Sequence, residues 1–204
     1  MKNSYIIRKL VAGLFVVVVA VCAFGCSDTK NKTAISSKDI EKAFSAAAEK
    51  YDVEEVDWET FEETSGISEV SSSITMRDDD ASELFYSKVG IVLGIQRDDI
   101  PEIKEISVFY LCDSSERIYG HYIIFENEKD CKEYRDLFFD WFGNETSLEK
   151  GYECSTQLTD GRMNGAYQDG TTLIWFTEYL NDTPEILPFI YDELELSFPE
   201  KSEE

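Results

Sequence analysis

The chain has 204 residues, 43% of them hydrophobic and 13% aromatic, which is enough for one globular core and too much for a disordered polymer. Its 42 Asp and Glu outweigh 19 Lys and Arg, for a formal charge of -23. A nucleic-acid-binding face needs the opposite sign to displace counterions, so nucleic acid is excluded as a partner.

The N-terminal stretch reads as an address. Lys2, Arg8 and Lys9 precede an apolar run from Leu10 to Phe24, which closes on Gly25 and Cys26. A positive head, a short greasy segment and small residues make the layout of a secretory signal. The run is shorter than the ~20 apolar residues that a spanning helix requires. An ordinary signal with Cys26 as a spare thiol satisfies the small residues Ala23 and Gly25 equally. The segment Ala23, Phe24, Gly25, Cys26 also resembles the lipobox of bacterial lipoproteins. That resemblance implies cleavage between Gly25 and Cys26, a diacylglyceryl group on the Cys26 sulfur, and a mature chain tethered to the outer face of the cell membrane. The expected organisation is a signal peptide over 1–25, a disordered polar tether over 26–37, one α+β domain over 38–199 and an acidic tail over 200–204.

Within the domain, Ser36 and Asp39 form a capping box, and Ile40, Phe44, Ala47, Ala48 and Tyr51 fall on one face of a helix. Val70, Ser72, Ile74 and Met76 alternate as a strand, while residues 80–94 fit either a capped helix or a buried strand. Ile106, Val108, Tyr110 and Cys112 alternate along one strand and Ile118, Gly120, Tyr122 and Ile124 along the next, joined by a turn over 113–116 into an antiparallel hairpin. A second helix follows with Asn127 as its cap, Asp130 at N3, and Cys131, Tyr134, Leu137, Phe138, Trp141 and Phe142 inward. Gly143 ends it. Three strands are then separated by Asp160-Gly161 and Asp169-Gly170. A closing helix falls over 183–196 or starts at Pro188. Hairpin-sized links exclude parallel neighbours, so the expectation is a largely antiparallel sheet with amphipathic helices on one face.

This order resembles that of small α+β lipoproteins from anaerobic Firmicutes. The resemblance rests on a strand running straight into a helix (122–125, then 128–142), a Gly- and Thr-containing strand (169–177) and a closing helix (186–194). It carries no activity with it.

Residues that could do chemistry are few. Cys112, Cys131 and Cys154 remain in the mature domain, an odd number without CxxC spacing, and read first as small core residues, then as one disulfide plus a thiol. His121 is the only histidine, flanked by tyrosines in a strand, and reads as a packing or surface residue rather than a base. Neither GxSxG, HExxH, GxxxxGK[ST] nor GxGxxG occurs. The acidic clusters at Asp78, Asp79, Asp80 and Glu83 and at Asp98, Asp99 and Glu102 lack calcium-loop spacing and read as a solvated face. Of three tryptophans, Trp141 and Trp175 are expected in the core and Trp58, between two acids, at the surface.

The leading expectation is a membrane-anchored, extracytoplasmic, non-enzymatic binding or accessory module, without cofactor or metal. Its acidic surface would favour basic proteins or peptides. The alternatives are a carboxylate-based hydrolase of cell wall or peptide, which requires two convergent acids in a cleft, and a calcium-responsive surface protein.

Overall fold

The structure, a computed structural model, describes residues 34–63, 69–142, 146–159, 162–179 and 184–199. The leader, Cys26, Gly143, Asp160, Gly161 and the acidic tail lie outside the described residues, as do the side chains of Trp141 and Phe142.

Helix α1 (Ser37–Lys50) opens on the expected capping box: Ser36 Oγ accepts from the Asp39 amide at 3.3 Å and Asp39 accepts from the Ser36 amide at 2.9 Å. The folded body starts before residue 38. Ile35, assigned to the tether from sequence, is 5% exposed in the core, and its amide donates to Tyr152 Oη at 2.9 Å. A two-residue strand β1 (Glu54–Glu55) and a short helix α2 (Trp58–Glu63) lead to β2 (Val70–Arg77).

The undecided segment is helical. Helix α3 (Asp78–Phe85) continues through a π-helical turn at Tyr86–Gly90 into a last turn at Ile91–Leu93, where Gly94 adopts φ 71 and stops it. The acidic triplet 78–80 is its first turn, where negative charge complements the helix dipole. Strands β3 (Ile103–Cys112) and β4 (Arg117–Phe125) form the expected hairpin. Helix α4 (Glu128–Phe142) follows, with Asn127 Oδ1 accepting from the Asp130 amide at 2.9 Å. Leu137, expected inward, is exposed. Strands β5 (Ser147–Glu149), β6 (Tyr152–Thr159), β7 (Arg162–Asp169) and β8 (Thr172–Tyr179) make a meander before helix α5 (Ile186–Glu193). Pro188 is the third residue of α5, a position whose N–H has no intrahelical acceptor, so it removes no bond.

The eight strands lie in the order β1-β2-β3-β4-β8-β7-β6-β5. All pairs are antiparallel except β1 with β2, so the domain is α+β with a mostly antiparallel sheet.

Helices cover both sides of this sheet, which corrects the expectation of one covered face. Phe109, Leu111, Ile118, Ile174 and Phe176 pack with α1 and α5 on one side. Ile106, Val108, Ile123, Leu173 and Trp175 pack with α3 and α4 on the other. The alternation read at residues 106, 108, 110 and 112 is real, but Phe109 and Leu111 between them are equally apolar. A strand apolar on both faces needs two covering layers.

Two glycines let the first layer approach. A Cβ on Gly120 would stand 3.0 Å from the Phe44 ring, and one on Gly165 would overlap the Tyr191 hydroxyl. Tyr191 is fully buried and has no free direction to move. Gly165→Ala is therefore expected to lower unfolding stability by about 1–3 kcal/mol, the usual cost of overpacking, measured by urea denaturation. Gly170→Ala, at a turn with open space but φ 55, should act through backbone strain alone and cost about 1 kcal/mol.

Candidate functional site

Successive rungs of the sheet show where the second layer ends. On the α3 and α4 side, one rung runs Ile106, Ile123, Leu173, Gln168. The next is Val108, His121, Trp175, Ala166; then come Tyr110, Tyr119, Thr177, Asn164 and finally Cys112, Arg117, Tyr179, Arg162. The face thus turns from aliphatic to aromatic and polar halfway along the strands. Phe138 of α4 reaches Trp175, with ring centroids 4.7 Å apart. Beyond that contact the rungs lie open beneath a rim formed by Trp58, Phe61 and Glu62 of α2 and Ser87 and Lys88 of the π turn.

The resulting cavity has a volume of about 660 Å³, within the usual range for small-molecule sites. A larger depression of about 810 Å³ follows α1, but solvated Lys38, Glu41, Lys42 and Glu49 line it, so it is a surface furrow.

Buried polar groups at the cavity floor lack partners. His121 is 3% exposed and stacks on Trp175 at 4.6 Å and 18°. Burial lowers its pKa to about 3, opposed by a hydrogen bond to the Trp175 backbone and assisted by Lys88. The imidazole is therefore neutral. Its Nδ1 has no hydrogen-bond partner, nor has the indole nitrogen of Trp175. Both nitrogens are sealed from solvent, and the indole N–H can only donate. Thr177 next to them is satisfied, bonded to Asn164 Oδ1 at 2.8 Å.

The charge of the cavity opposes that of the chain. Lys88, Arg117 and Arg162 line it, against one carboxylate, Glu62. Lys88 Nζ pairs with Glu62 at 3.0 Å and lies 5.2 Å from the Trp58 ring. Arg162 sits over Tyr179 at 5.1 Å. Arg117 is exposed and takes part in none of the ion pairs among the described residues.

The residues singled out from sequence fall in several places. His121, expected in packing or at the surface, is buried and floors the cavity. Trp175 is core, while Trp58 is half-buried at the cavity rim, 4.9 Å from Phe61. Cys112, Cys131 and Cys154 are free, buried and in three separate clusters. Burial pushes the Cys131 thiol up to about 12 and raises that of Cys154, so neither is a nucleophile near neutral pH. The acidic clusters lie on α3 and on a turn over Arg97–Asp99, where Glu83 pairs with Arg97. Among the described residues no group of three or more His, Cys, Asp or Glu is arranged to hold a metal ion. Arg117, Tyr119, Arg162, Thr177 and Tyr179 were not singled out from sequence.

Two acids do converge, but away from the cavity. Glu116 and Glu178 are 3% and 0% exposed, near the start of α5. Glu116 accepts from the amides of Glu185, Ile186 and Leu187, at 2.5 to 3.4 Å, and so caps α5. Burial, followed by the neighbouring Glu116, raises the Glu178 pKa to about 10. Glu178 receives no hydrogen bond among the described residues, and in its protonated form it can donate to Glu116 instead. This pair fixes a helix and faces no cleft.

No protein-family model, no curated protein and no solved structure matches the chain.

The buried acid sets a pH dependence. Folded Glu178 keeps a proton that the unfolded chain releases above about pH 4.3, so stability falls as pH rises from there to about 10. The His121 contribution has the other sign, complete above about pH 6.5 and lost as pH falls toward 3. Between pH 6.5 and 9 only the first operates. Glu178→Gln should therefore gain on wild type by up to about 1 kcal/mol per pH unit across that window, read from urea midpoints at fixed ionic strength.

Proposed function

We propose that the protein is a lipid-tethered extracytoplasmic binding module whose ligand enters the cavity between α2, the π turn and strands β4 and β8. The observation that carries the binding role is a cavity of about 660 Å³, large enough for a small molecule, floored by the stacked rings of His121 and Trp175 and lined by Trp58, Tyr119, Lys88 and Arg117. The non-catalytic character is supported by the same residues. His121 is neutral and stacked, with no carboxylate to orient it, and Glu62 is the one acid at the rim, paired with Lys88. The tether rests on the leader and on Cys26. No helix among the described residues is long and apolar enough to cross a membrane. The acidic exterior supports a second kind of contact, with basic protein or peptide surfaces, separate from the cavity.

Two measurements test this reading. Wild-type protein should partition with the membrane fraction and carry an acylated Cys26 by intact mass, whereas Cys26→Ser should accumulate unacylated. In a thermal-shift screen of small molecules, ligands that raise Tm in wild type should lose the effect in Ser87→Trp, which fills the cavity mouth from an exposed position. Hits that survive Ser87→Trp unchanged would place binding elsewhere.

A further inference from the structure

The proposed binding role leaves the ligand undefined, and the chemistry of the cavity narrows it. In a chain with more than twice as many acids as bases, three of the four charged side chains lining this one cavity are cationic. Arg117 and Arg162 flank Tyr179 on adjacent strands, each directly opposite it in register. With strands about 4.8 Å apart, the two guanidinium groups frame the outer end of the cavity, about 10 Å from one Cα to the other. Neither Arg117 nor its neighbours on that rung offer it a carboxylate. The walls between this end and the floor are aromatic: Tyr119, Tyr179 and Trp58. At the inner end the floor is the stacked pair of His121 and Trp175 rings.

We infer, on the reading of the cavity as a ligand site, that it takes a small aromatic organic anion. The carboxylate, or an equivalent anionic group, lies at Arg117, and the ring lies among the aromatic walls. A guanidinium binds a carboxylate through two parallel bonds and stacks on aromatic faces, so it serves both the charged and the flat part of such a ligand. Lys88, already neutralised by Glu62, adds to the field without being the anchor. The acidic exterior repels anions at long range, while the cavity attracts them within about a Debye length, roughly 8 Å at physiological salt.

The experiment titrates full-length protein in detergent with phenylacetate and its methyl ester, followed by calorimetry and by tryptophan fluorescence, since Trp58 and Trp175 line the site. The acid is expected to bind at least tenfold more tightly than the ester, and raising the salt should narrow that gap. Arg117→Gln, at an exposed position, should remove the preference for acid over ester by weakening acid binding far more than ester binding, and Arg162→Gln should do the same in part. An ester that binds as well as the acid, with Arg117→Gln silent on both, overturns the anion inference while the cavity stands as a ligand site. Binding of neither compound also overturns it, and the thermal-shift comparison with Ser87→Trp then judges the cavity separately.

Discussion

Strands β3, β4, β8 and β7 bury side chains on both faces, and that demand for cover organises everything around them. Each apolar side chain brought out of water contributes about 1.5–3 kcal/mol, so neither face can be left bare along its aliphatic rungs. Helices α1 and α5 meet the demand on one side, where Gly120 and Gly165 let Phe44 and Tyr191 sit against the backbone. On the other side α3 and α4 cover the aliphatic rungs and reach no further than Trp175. Where the rungs become aromatic and polar, the demand relaxes and the cover stops. The cavity is the space left by that change.

The same switch explains what could and could not be read in advance. Helices α1 and α4 were legible because their caps and periodic faces are local: Ser36 with Asp39, and Asn127 with Asp130. The hairpin and the meander were legible from alternation and turn residues. The two-layered cover was not, because reading one alternation as the buried face concealed that Phe109 and Leu111 are as apolar as their neighbours. The parallel pairing of β1 with β2 involves two residues, Glu54 and Glu55, and leaves no pattern to detect. For the site, His121 was noticed as the sole histidine but weighed alone. Its meaning depends on Trp175 and Ala166, brought alongside by strand register across more than 40 residues of chain. A signal was nonetheless present. Odd positions of β4 run Arg117, Tyr119, His121 and then Ile123, Phe125, a change of character within one strand that marks the limit of helical cover.

The distribution of charge follows from burial costs. Acids at the surface stay hydrated, and their number there needs no other account. Two went inside. Glu116 is held by three amides of a helix start, and Glu178 beside it is kept in its neutral form. The cations tell the complementary story: Lys88 and Arg162 each lie over an aromatic ring at the cavity, an arrangement that gives a buried stem something to pack on while the charged head stays near solvent.

The Glu116 cap also dictates an order of events. Its acceptor oxygens sit in the turn between β3 and β4, while the amides they satisfy begin at residue 185, some 70 positions later in the chain. Helix α1, whose apolar stripe rests against α5, waits for the same late arrival. A nascent chain therefore carries α1 covered by the sheet alone, and Glu116 without its amide partners, until its final segment emerges. Assembly is completed from the C-terminal end, and a product cut short before α5 would leave that seam open to holdases and proteases.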